Sequence, residues 1–139
     1  MLKNIDPPLT AELLSVLAAM GHGDELAVTD ANFPTDSVAR GTCHGQVISV
    51  AGASLSQVVG AIVSVLPLDE FVDAPVRRMA IDVTPDELPE VQGEVQRSST
   101  PSVANIGRWV SWSVSPSMRP PVAVTRWSSR GNVGSTAMC

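Results

Sequence analysis

Gly21-His22-Gly23-Asp24-Glu25-Leu26-Ala27-Val28-Thr29-Asp30-Ala31-Asn32-Phe33-Pro34 reads as a turn, a short buried strand and a loop in immediate succession. Upstream, Leu13, Leu14, Leu17 and Met20 follow the 3–4 spacing of one buried helical stripe, with Thr10 as cap and Gly21 as a left-handed stop. His22 therefore lies just past a helix C-terminus, and Asp30 lies at the C-terminal end of the next strand. In open α/β sheets that strand end is where ligands usually bind. An imidazole takes and gives protons near neutral pH, which suits chemistry made only of proton transfers.

The same alternation continues downstream. Gln46 to Val50 reads as a second strand, closed by Gly52. Ser54 or Ser56 starts a helix carrying Leu55, Val58, Val59, Ile62, Val63 and Leu66, which Pro67 ends. That helix is apolar around much of its circumference, so it packs between other elements or subunits. Val76 to Val83 reads as a third strand. Thr84-Pro85-Asp86-Glu87 has the cap, first-turn proline and acid of a helix start, and the helix runs toward Arg97. The order α, β, β, α, β, α predicts a single layered α/β domain with a central sheet flanked by helices.

The chain has 139 residues, enough for one ordinary domain. Its 14 acidic residues against 9 basic ones give no footprint for nucleic acid or an anionic membrane surface. A small neutral or cationic ligand fits better. The N-terminal stretch has no apolar run behind a basic end, and the longest apolar run, Val58 to Leu66, is too short to span a bilayer. A cytoplasmic protein is expected, with Cys43 and Cys139 unpaired. His44 beside Cys43 lacks partners at zinc spacing, so no metal site is expected. Asp24 and Glu25 read as solvated or inter-subunit charges, and Arg77 and Arg78 alternate faces of a strand.

After Arg97 the composition changes. All 14 acids precede that residue, whereas residues 98 to 139 hold four arginines, no acid and all three tryptophans. No helical or alternating period is legible there. Trp109, Trp112 and Trp127 also fit poorly with a disordered tail. The domain reading is thus 1–97 for the α/β domain and 98–139 for an atypical segment.

Met20-Gly21-His22-Gly23-Asp24-Glu25 with Asp30-Ala31-Asn32-Phe33-Pro34, preceded by Met1-Leu2-Lys3 and Leu13-Leu14, resembles the ribose pyranase and fucose mutarotase (RbsD/FucU) family, fucose branch. The resemblance covers residues 1 to 97. It implies an RbsD-like fold, His22 as catalytic acid/base and Asp30 as a sugar-binding residue. It also implies free monosaccharide of the fucose or ribose class as substrate, no cofactor, and a homo-oligomer, typically a decameric ring. The family further uses an arginine before a Phe-Ala-Phe-Tyr-Glu run and a late Tyr-Gly-Asn, and neither is written here.

The genetic code accounts for their loss. If each true codon is the last nucleotide of one written codon plus the first two of the next, Trp112 through Cys139 re-reads as LERFAFYEAARRSYAVVVAGERRLYGNV. Ser98 to Pro101 likewise re-reads as EFDA. Loss of one G between an Arg codon and a Glu codon at Arg97 produces the switch, and the expectation is a frameshift at or just after that residue. Under it the arginine lies beneath Val114, and Tyr-Gly-Asn lies beneath Thr136, Ala137 and Met138.

Exchanging sugar anomers opens and recloses a cyclic hemiacetal. One hydroxyl proton leaves while the ring oxygen gains one, which a single histidine can serve, contributing roughly 10²–10⁴-fold. Asp30 could orient that imidazole, grip a sugar hydroxyl, or simply form an Asx turn before Asn32. His22 could equally be a polar turn residue. The sequence is compatible with a fucose-type mutarotase impaired by its tail, with a noncatalytic sugar-binding module linked to uptake, or with ribose pyranase.

Overall fold

The computed structural model describes residues 2–69, 71, 75–79, 90–98, 110–112 and 123–128. The elements run α1 (Ala11–Ala19), β1 (Leu26–Thr29), α2 (Thr35–Ala39), β2 (Val47–Ala51), α3 (Leu55–Val65), β3 (Arg77–Met79), α4 (Glu90–Ser98), β4 (Val110–Trp112) and β5 (Ala123–Ser128). The mixed α/β architecture is the one the alternation of periods predicts.

Thr10 Oγ1 accepts from the Leu13 N–H at 3.2 Å and caps α1 as expected. The helix ends differently from the expectation. Met20 is extended at φ −71° and ψ 140°, and the left-handed residue is Gly23, at φ +81°. Asp24 explains the shift, because its Oδ2 accepts from the Gly21 N–H at 2.8 Å while its own N–H donates to Gly21 O at 3.1 Å. The reversal is thus pinned one turn later, at a position where only glycine is unstrained.

Leu13, Val16 and Leu17 on α1 pack with Ile48 and Val50 of β2 and with Val58, Ala61 and Ile62 of α3. Ile48 and Val50 are buried while Ser49 is exposed, the period-two signature of a strand with one buried face. The apolar girth of α3 is used on more than one side, since α4 packs against it and buries Val95 to 2 % exposure. Ser54, rather than Ser56, is the α3 cap. Its hydroxyl accepts from Gln57 N, and Gln57 Oε1 accepts from Ser54 N in return, a reciprocal capping box.

Two sheets form. In the first, β5 lies between β1 and β2 and is parallel to both, with Val28 and Ile48 as the register partners of Thr125. In the second, β3 pairs with β4 in parallel. Two expectations change here. Residues 110–112 and 123–128, in the segment without legible period, are strands, and one of them is the middle of the main sheet. The five-residue α2 was not expected, because Thr35-Asp36-Ser37-Val38-Ala39 is too short to show a period. The expected end of the third strand, residues 80–83, and the expected start of the last helix, residues 84–87, lie outside the described residues.

Among the described residues, no helix is long and apolar enough to cross a membrane. Cys43 is a free, exposed thiol.

Candidate functional site

Gly23 and the Gly21–Asp24 turn set His22 out from the surface, with its side chain 79 % exposed. The turn lies at the N-terminal end of β1. The chain leaving α3 returns to it through Leu66-Pro67-Leu68-Asp69, and Asp69 Oδ1 stands 3.5 Å from His22 Nδ1. The carboxylate is better shielded than the imidazole, at 22 % exposure. The same Oδ1 accepts the Phe71 N–H at 3.0 Å. Phe71 then places its ring 5.4 Å from the imidazole, centroid to centroid, at an interplanar angle of 80°.

These contacts set the charge of Asp69. Its carboxyl is held below the usual aspartate range, chiefly by the Phe71 N–H. Partial desolvation pushes the other way. The His22 charge, the Gly23 N–H and the hydrogen bond to His22 add to the lowering. An ionised Asp69 facing Nδ1 favours a proton there, which leaves Nε2 as the nitrogen for a substrate.

Asp30 is elsewhere. Its Oδ1 accepts from both the Asn32 and Phe33 N–H groups at 3.0 Å, an Asx turn that shapes the exit from β1. Thr35, 1 % exposed, ties the same loop down, its hydroxyl reaching Phe33 O at 3.0 Å and Thr29 Oγ1 at 3.1 Å. His22 and Asp30 therefore flank opposite ends of a four-residue strand, about 13 Å long at the usual rise. The partner the geometry gives His22 is Asp69. Sequence reading missed it because 47 positions separate the two and Asp69 sits in a segment that looks like a linker.

Two further charged pairs hold elements together. Glu25 meets Arg77 at 3.2 Å, bridging the start of β1 to β3. His44 meets Glu12 at 3.2 Å, which ties the loop after α2 to α1. Among the described residues, no group of three or more potential metal ligands gathers.

Residues 3–110 match the RbsD / FucU transport protein family. The chain belongs to that family. An L-fucose mutarotase of Actinobacillus pleuropneumoniae (serotype 5b, strain L20) is 31 % identical over 139 residues, covering 96 % of this chain and 93 % of the relative. The fucose mutarotase of Mus musculus is 42 % identical over 86 residues, 62 % of this chain and 54 % of its own length. Among solved structures, a candidate sugar binding protein superposes with a TM-score of 0.82 at 38 % identity, covering 94 % of this chain and 88 % of that one. The fucose mutarotase of Streptococcus pneumoniae, solved with L-fucose, shares the RbsD/FucU fold at a TM-score of 0.68 and 23 % identity, covering 94 % and 90 %.

Proposed function

We propose that the chain is a sugar isomerase of the fucose mutarotase type, interconverting the anomers of a free monosaccharide by acid–base chemistry with His22 as the catalytic residue. The observation that carries this reading is a solvent-facing imidazole backed by an ionised carboxylate, in a chain whose curated relatives include L-fucose mutarotases.

Nε2 of His22 takes the anomeric hydroxyl proton as the bond between C1 and the ring oxygen breaks, and the imidazolium so formed gives its proton to that oxygen. The open aldehyde turns about C1–C2, and reclosure on the other face reverses both transfers. Each step needs the imidazole in one state and then the other. Asp69 fixes the ring and stabilises the imidazolium between them. Asp30, held in its own turn at the opposite end of β1, is too distant to grip the sugar that His22 of the same chain acts on, so its proposed sugar contact needs His22 of another subunit.

Replacing His22 with Gln tests the reading. Anomer exchange of L-fucose, followed by magnetisation transfer between the two anomeric protons, should fall at least about 10²-fold while sugar binding persists. Undiminished exchange overturns the role of His22. A noncatalytic binding module, the reading that the candidate sugar binding neighbour favours, would bind sugar and show no exchange to lose.

The polypeptide assembles as a homo-oligomer, a ring of ten on the pattern the family resemblance implies. The outward-facing Val65 of α3 and Val91 of α4, 43 % and 42 % exposed, support this. Light scattering that returns the monomer mass excludes it.

Residues 98–139 are read from the wrong frame. The loss of every acidic residue after Arg97 and the family-like ending in the other frame support this, although the family match itself runs on to residue 110. Sequencing the gene and transcript across the Arg97 codon decides the point, and an additional G restores the other ending.

A further inference from the structure

Phe71 is 86 % exposed, the most exposed large apolar side chain among the described residues. Isolated surface hydrophobics are ordinary. This one is not isolated from chemistry. Its backbone N–H holds the carboxylate that faces His22, and its ring stands nearly perpendicular to the imidazole, which is itself open to solvent. Asp69 Oδ1 thereby contacts the imidazole of His22 and the backbone of Phe71 at once. The result is a two-sided corner with one apolar wall and one proton-transferring wall, both open to water.

A pyranose fits such a corner by its own geometry. Its C–H bonds make apolar faces and its hydroxyls make a polar rim, so a ring laid flat on an aromatic wall points its rim at anything standing perpendicular to that wall. A galacto-configured sugar such as fucose gathers the hydrogens of C3, C4 and C5 on one face, which gives the wall a continuous patch to cover. We infer that Phe71 is the platform on which the sugar ring packs, the residue that presents the anomeric centre to His22 and favours sugars with an uninterrupted C–H face.

The inference rests on the mutarotase reading, and one set of experiments separates the two. Saturation of the aromatic protons in the wild-type chain should transfer to H3, H4 and H5 of L-fucose in preference to the other face. In Phe71→Ala that transfer should vanish, and KM for fucose should rise at least tenfold with kcat changed less than threefold. Phe71→Tyr should restore both. Because the ring is exposed, the thermal midpoint of Phe71→Ala should match the wild type, so loss of fold does not mimic the effect. Unchanged KM in Phe71→Ala, or the absence of face-selective transfer in the wild type, overturns the platform. Exchange in the wild type no faster than the spontaneous rate overturns the mutarotase reading instead, and exchange undiminished in His22→Gln overturns only the role of His22.

Discussion

One oxygen atom, Asp69 Oδ1, faces the imidazole of His22 and accepts the N–H of Phe71. Removing its charge without changing its shape, by Asp69→Asn, should lower kcat by roughly tenfold or more while KM moves little, since general acid–base assistance depends on the orientation of the ring. Steady-state anomer exchange reads the split. The same carboxylate carries a pH signature. Its folded-state pKa is lowered, so its contribution to stability is fully present above the unfolded value of about 3.9 and is lost as pH falls through the folded value. The difference in thermal midpoint between wild type and Asp69→Asn should therefore close as pH falls below about 4. A difference that instead grows as pH falls below about 4 contradicts the assignment. The setting of His22 in a turn and of Asp30 at a strand end was legible. Asp69 and Phe71 were not, because what marks them is proximity across the fold, and Leu66-Pro67-Leu68 says only that a helix has ended.

At the level of elements, capping chemistry was the most readable signal. Ser54 and Gln57 satisfy each other's backbone groups at 2.8 and 3.3 Å, and the helix they start runs from Leu55 to Val65, within a residue of what the sequence implied. Ser54→Ala removes the acceptor for Gln57 N and should cost about 1 kcal/mol in urea unfolding. Leu13, with no exposure, should cost about 2–5 kcal/mol when cut to Ala, because the α1 face has no solvent side into which the cavity can collapse. The end of α1 was harder to read. Gly21 and Gly23 are interchangeable as sequence signals for a left-handed stop, and the side chain of Asp24 chose between them. The short α2 shows the limit of periodicity: five residues contain barely one turn and a half of helix.

At the scale of the whole molecule, the sheet exposes the conflict in the C-terminal segment. A strand with parallel neighbours on both sides is normally covered on both faces and reads as a continuous apolar run. The middle strand here reads Ala123-Val124-Thr125-Arg126-Trp127-Ser128. Thr125 sits between Val28 and Ile48 with no exposure, and its Oγ1 is buried without a hydrogen-bond partner among the described residues. Such an orphan costs about 1–3 kcal/mol. The other reading frame puts Tyr-Ala-Val-Val-Val-Ala at positions 125–130, a run that suits an interior parallel strand. Two predictions follow from one cause. In the chain as written, Thr125→Val replaces the orphan hydroxyl with a methyl of nearly the same size and should raise stability by about 1–3 kcal/mol in urea unfolding; a loss would mean that β5 does not occupy the centre of the sheet. Restoring one nucleotide after the Arg97 codon should do more. It replaces the polar middle strand, raises the unfolding midpoint above that of Thr125→Val, and brings anomer exchange well above that of the written chain. Equal stability and equal exchange in the two frames would show that the written ending is the working one.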